Sequence, residues 1–332
     1  MKEYIPDTDT LKKKLKVVLD SDLTDFLVST HSRRAELVGN RRYSVLAIFF
    51  VLAVVVALYL VNLNEVPLVR NILMGCIGLW LIVLLLSGRK WVTNTKLLAR
   101  EMNMAMVPIL TNTLDRMLMY TNNTGHEEQT KRLLVESKLL TVPDIVVTSD
   151  DMYSIFGGSD TTVRELHIHQ IVPDKDGKTN QVELFKGVLV VAELAKTLEA
   201  ETFISTDGDR RGFAHRTFWS DLMENGEVKE TVLEWNDFEN HLHVATNNPT
   251  AARELLTPVM MQVVYDWWVE HKLNMRVAFR GNKLFMLLPD TSIRINASTT
   301  STKPDAVERY AWSIARPLWR SLLLIDEVRK SH

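Results

Sequence analysis

Two apolar, charge-free runs in the first hundred residues constrain this chain most. The first is 45-VLAIFFVLAVVVALYLV-61 and the second is 72-ILMGCIGLWLIVLLLSG-88. Each is close to the ~20 residues that a helix needs to cross a bilayer, and neither carries an ionisable side chain. The preceding residues are polar and charged, which argues against a cleaved secretory signal at the start. The runs therefore predict two transmembrane helices, at about 43–62 and 71–89, behind a helical N-terminal segment over 1–42. Arg33, Arg34, Arg41 and Arg42 precede the first run, and Arg89, Lys90, Lys96 and Arg100 follow the second. Basic flanks collect on the cytoplasmic side, so both termini and the bulk of the chain are expected there, at the bacterial inner membrane. The lipid bilayer is thus an expected partner.

Charge narrows the remaining partners. Lys+Arg number 39 against 41 Asp+Glu. This balance argues against nucleic acid, whose phosphates call for a basic excess. The single cysteine, Cys76, sits inside the second apolar run. Intrachain disulfides, thiolate zinc sites and a thiol nucleophile in the remaining chain are thereby excluded. Near the N-terminus, Leu11, Leu15, Val18 and Leu19 form one helical stripe beside Lys12, Lys13, Lys14 and Lys16. That pattern fits either anionic headgroups or an ordinary helix packed on the rest of the protein.

After the second run, 92–120 reads as a helix disturbed at Pro108, and 126–140 as another, together forming a helical connector over 91–142. From about 145 the hydrophobic period becomes two. Strands are predicted at 161–172, 182–193, 228–235, 239–246, 274–280 and 283–288. Hairpin turns are expected at Asp176-Gly177 and Gly281-Asn282. Asn248-Pro249 opens a helix over 248–272, in which Pro258 implies a kink or a second start. A last helix over 304–330 is interrupted near Pro317. The fold class expected is α+β and membrane-anchored: two N-terminal transmembrane helices, then a cytoplasmic domain over 143–332 with a mainly antiparallel sheet and packing helices.

Catalytic patterns are sparse. The run 157-GGSD-160 lacks the Lys-Ser/Thr of a phosphate loop, and no nucleophile elbow or His-Glu-x-x-His occurs. Two strands do alternate metal-capable residues: Glu165, His167 and His169 on one, and Glu239, His241 and His243 on the other. Same-face neighbours on a strand are ~6.6 Å apart, close enough for two imidazoles to share a divalent metal. The competing account is two polar strand faces. A two-residue Asp176-Gly177 turn would set Lys186 opposite His167 and Leu184 opposite His169, and an ammonium there opposes a cation. No cofactor is expected beyond that candidate metal. Trp267 and Trp268 point about 100° apart on their helix, so one should be core and the other should pack on the sheet or on a partner.

Several stretches together resemble a bacterial family, domain of unknown function 3137. They are 181-QVELFKGVLVVAEL-194 with 201-ETFIST-206, 238-FENHLHVATNNPTAARELLTPVMMQVV-264, 275-MRVAFRGNKLFMLLP-289 and 322-LLLIDEV-328. The resemblance covers about 135–330, and His167 and His169 are not part of it. It implies a membrane-anchored cytoplasmic domain without assigned activity, cofactor or catalytic residues, with a LemA-type membrane protein as a partner and homo-oligomers open. The function expected is a non-enzymatic, membrane-tethered interaction or scaffold domain. A metal-dependent hydrolase using the two His-x-His strands, or an accessory subunit of a transporter, are the alternatives.

Overall fold

The computed structural model describes residues 8–29, 35, 67–122, 127–140, 145–156, 160–173, 179–206, 218–224, 226–271, 274–289 and 304–331. Among these residues the first elements are α1 (Thr8–Ser29) and α2 (Pro67–Leu114). Then come β1 (Met117–Asn122), α3 (Glu127–Ser137), β2 (Ile145–Phe156), β3 (Thr161–Pro173), β4 (Thr179–Glu193) and β5 (Thr202–Thr206). They are followed by α4 (Phe218–Glu224), β6 (Lys229–Glu230), α5 (Asn236–Glu239), β7 (Leu242–Thr246), α6 (Pro249–Leu255) and α7 (Pro258–His271). The hairpin β8 (Arg276–Arg280) and β9 (Lys283–Pro289) precedes the last helix, α8 (Pro304–Ser331). The chain divides into two compact units. One comprises Met1–Val17, Val107–Ile295 and Arg309–His332 and holds the whole sheet; the other comprises Val18–Met106 and Asn296–Glu308.

The membrane-anchored part of the expected fold class is corrected. Of the two predicted spans, 43–62 lies outside the described residues, while 71–89 falls within α2, which continues unbroken to Leu114. Among the described residues no helix is long and apolar enough to cross a membrane. An apolar run specifies that side chains avoid water, not which medium receives them. Helix α2 extends well past that run, through Arg89 and Arg100. The α+β class stands, built on a nine-stranded sheet in the order β1-β2-β3-β4-β9-β8-β5-β7-β6, antiparallel at every pairing.

Several element boundaries also differ from the sequence reading. The stretch expected to be helical up to 120 leaves the helix at Asp115 (φ 52°), and β1 begins at Met117. Pro108 and Pro317 lie inside continuous helices rather than ending them. Pro258 does start a second helix. The Asn248 side chain caps α6 by accepting from the Ala251 amide at 3.3 Å, which satisfies one of the donors that a helix start leaves open. Gly281 takes φ 58° in the two-residue β8–β9 turn. This is the position where II′ hairpins call for glycine. The Asp176-Gly177 turn lies outside the described residues. Leu11 and Leu15 of α1 are buried, so the N-terminal stripe serves packing, and Lys14 reaches Asp115 at 2.5 Å.

One face of the sheet carries the main core. Leu166 and Ile168 of β3, Leu189 and Val191 of β4, Phe285 and Leu287 of β9, and Phe203 of β5 pack there with Leu134 of α3 and Phe218 of α4. Two arginines rise into this layer. Arg276 is fully buried, with its guanidinium 4.1 Å from the centre of the Phe218 ring and Nη1 donating to the Leu139 carbonyl at 2.9 Å. Arg164 donates to Thr130 Oγ1 at 2.8 Å and to Gln129 Oε1 at 3.3 Å. Burial disfavours its charged form and pushes its pKa down from the ordinary arginine value. Both side chains fasten α3 and its C-terminal turn to the strands below.

A charged seam closes the same junction. Glu201, just ahead of β5, accepts from Arg280 at 2.8 Å and pairs with Lys138 at 3.4 Å; Lys138 also reaches Glu227 at 2.7 Å. Lys283 pairs with Glu136 at 2.7 Å. Burial alone would raise the Glu201 pKa, but Arg280 and Lys138 outweigh it and hold the carboxylate below its ordinary value.

Replacing Arg276 with Ala should lower the stability of the full chain by about 3 kcal/mol in urea titrations, because the Leu139 carbonyl loses its donor and a cavity opens. Arg276→Met should cost less, since it refills the volume without a charge to satisfy. For Glu201 the folded pKa is depressed, so its contribution is complete above the unfolded value of about 4.3 and fades as pH falls through the folded value. Chemical denaturation between pH 7 and pH 3 should therefore show a loss of stability on acidification that Glu201→Gln flattens.

Candidate functional site

On β3 the expected alternation is present. Leu166 and Ile168 enter the core, while Glu165, His167 and His169 point to the other face. That face is not simply wet: the Glu165 side chain is 5% exposed, and its Oε1 lies 3.9 Å from His167 Nε2. Such a separation is beyond hydrogen-bond range. Lys186 stands opposite His167, as the sequence predicts. The next pair differs, because His169 faces Glu183 and not Leu184. A β-bulge between Ile168 and His169 shifts the register by one residue and leaves Leu184 without a partner opposite it. The bulge lets the consecutive residues Leu184 and Phe185 both enter the core, which strict alternation forbids.

The second trio separates. The sequence places 239–246 in one strand, yet Glu239 ends α5 and His241 precedes β7, with its amide donating to the Phe238 carbonyl at 3.1 Å. His243 alone lies in the strand, where Nδ1 meets Glu230 Oε1 at 3.0 Å beside the Trp219 ring. Glu239 accepts from the Leu233 amide, which fixes the turn into α5. Strands β3 and β7 are five positions apart in the sheet. At ~4.8 Å per strand this is about 24 Å. Ligand bonds are about 2 Å long, so one ion cannot be shared by His167 or His169 and His241 or His243. Among the described residues no group of three His, Cys, Asp or Glu side chains is placed to hold a metal.

What the second region builds instead is aromatic. His241 stacks on Trp268 of α7 with ring centroids 4.2 Å apart and planes 21° apart. Trp268 meets Tyr265 at 5.8 Å, Tyr265 meets Trp235 at 5.1 Å, and Trp235 meets Phe238 at 5.8 Å. The tilted centroid spacings are those of favourable π contacts. Phe238 is buried and anchors the row, whereas Trp235, His241, Tyr265 and Trp268 are each half-buried. Trp267 is buried, so the Trp267-Trp268 pair divides between core and ladder as their angular offset requires. The sequence does carry a signal for the rest. Residues 235, 238 and 241, and residues 265 and 268, recur at the i, i+3 spacing that lines one side of a helical turn.

A small cleft lies near α6. It is a cavity of about 200 Å³ lined by Lys196, Thr197, Glu199, Ala251, Glu254 and Leu255. Small-molecule sites begin at roughly 300 Å³, so this one is undersized.

Residues 183–316 match a family described as protein of unknown function (DUF3137). The matched segment contains the entire aromatic row and the Glu201–Arg280 seam, and it leaves out Glu165, His167 and His169. No curated protein matches the chain. Among solved structures, the chain is similar to the mycobacterial trehalose monomycolate transport factor A, TtfA. The identity is 12% over 65% of this chain and 94% of that one, with a TM-score of 0.33, a likeness too low to carry an argument.

The two tryptophans should respond differently to truncation. Trp267→Ala should cost about 3–5 kcal/mol in urea unfolding, as for other core aromatics, and Trp268→Ala about 1 kcal/mol, from the lost ring contacts alone.

Proposed function

We propose that this chain is a non-enzymatic interaction domain whose contact surface is the ladder Trp235, Tyr265, Trp268 and His241. The observation that carries this reading is that these large rings remain half-buried side by side, inside the segment that matches the family. Tryptophan and tyrosine are the side chains that dominate protein–protein hot spots, because they bury much area at little entropic cost. Phe238 and Trp267 beneath them hold the backbone and leave the outer rings already positioned, which lowers the cost of binding. The resemblance seen in the sequence makes a LemA-type membrane protein the first partner to assay.

The test is copurification of the tagged full chain, comparing the native protein with the double variant Trp235→Ser/Trp268→Ser. The expected outcome is a stoichiometric protein partner that the variant loses while its urea midpoint stays within the range of other half-buried substitutions. A partner retained undiminished by a folded double variant would remove the ladder as the contact surface.

A further inference from the structure

We infer that the aromatic ladder receives an arginine-bearing segment of the partner protein. The inference rests on the interaction reading above and supplies its chemistry. The rings of Trp235, Tyr265 and Trp268 are electron-rich and belong to partly exposed residues, an environment that attracts a planar cation. Two exposed acidic residues neighbour one end of the row along the chain: Glu234 precedes Trp235, and Asp237 precedes Phe238. At the other end Trp268 lies in the last turn of α7, where the helix dipole contributes partial negative charge.

Two arginines of the chain itself that reach this region are engaged with other groups. Arg253 donates to the Val232 carbonyl at 3.4 Å. Arg320 holds its guanidinium 5.0 Å from the Trp319 ring centre and faces Asp266 electrostatically. Asp266 also accepts from Gln262 at 2.7 Å, so Glu234 and Asp237 are the carboxylates on which the inference depends. A purely apolar partner would strip water from those two groups without compensation, whereas a guanidinium would pair with them while stacking on the rings. Lysine offers a point charge without a plane to stack, so arginine is the better fit.

The probe is a fluorescein-labelled peptide of alternating arginine and glycine, titrated with the full chain and followed by anisotropy at near-physiological salt. Saturable binding is expected. It should weaken about tenfold in Trp268→Leu and by a similar factor in Glu234→Gln/Asp237→Asn, whose exposed positions do not threaten folding. The lysine counterpart should bind more weakly, and the citrulline counterpart should not bind. Equal binding by the native chain and both variants, a lysine peptide as good as the arginine one, or no binding at all would overturn the inference. So would competition by tetramethylammonium at equal concentration, which would point to a small quaternary cation. If the arginine peptide fails while Trp235→Ser/Trp268→Ser still releases the copurified partner, only the cationic chemistry is lost. If both fail, the interaction surface goes with it.

Discussion

The buried guanidinium of Arg276 is the contact on which the sheet-bearing unit depends. It stands in the middle of the core face, donates to the Leu139 carbonyl just beyond α3, and lies under the Phe218 ring of α4. A charge in such a place is tolerated only where hydrogen bonds and a π face replace water. Satisfying it fixes where the chain leaves α3 and where α4 crosses the strands. The Lys138–Glu201–Arg280 seam then follows, because Lys138 takes a left-handed φ of 54° at the end of that same helix. Glu201 is in turn bound to the β7 side of the sheet, where Thr246 Oγ1 donates to its carbonyl at 2.9 Å. The aromatic row grows from the segments on either side of β7, so its geometry descends from this chain of contacts.

The two halves of the sheet solve different problems. Strands β2, β3 and β4 are long, and their register tolerates irregularities, one between Ser149 and Met152 and one that admits the consecutive apolar residues Leu184 and Phe185 to the core. Strands β5, β6, β7 and β8 are short, and side-chain contacts between paired strands add to their backbone bonds, such as the buried Thr202–Thr246 hydroxyl pair at 3.3 Å. Short strands leave room for the segments flanking α5 and for α7 to carry the partly exposed rings Trp235, His241, Tyr265 and Trp268. The polar side chains of β3 have no comparable arrangement: a buried carboxylate, a half-buried imidazole and an exposed lysine across from it. Their distance from β7 turns a suggestive sequence symmetry into two unrelated environments.

Much of the fold is legible along the chain, and the places where it is not share a cause. The β8–β9 hairpin is readable because Gly281-Asn282 is a local signal flanked by clear alternation. The α6–α7 break is readable as one of two options, because a proline can either bend or restart a helix. Strand β1 is hidden because its Met and Leu residues continue the pattern of the preceding helix, and only the left-handed Asp115 ends that helix. The bulge at Leu184 is hidden because register is settled by what the opposite helices can accept. His241 reads as strand because a four-residue helix before it leaves almost no periodic trace. The aromatic ladder is half visible, in the spacing of its rings, but nothing local says that the 235–241 turn and α7 meet.

By itself the sequence determined the period of each long element, the hairpin turn at Gly281, the near-neutral charge and the absence of thiol chemistry beyond Cys76. These depend on local sterics and composition, which neighbours in the chain suffice to set. It also marked two strongly apolar runs; the first lies outside the described residues, and among those residues no helix is long and apolar enough to cross a membrane, so the expected spans are corrected. Only the tertiary structure decided which strands are adjacent, that His167 and His243 stand far apart, and that Trp235, Tyr265, Trp268 and His241 form one surface. Those outcomes follow from pairing and packing between residues distant in sequence, where the free energy belongs to the contact and not to either segment alone.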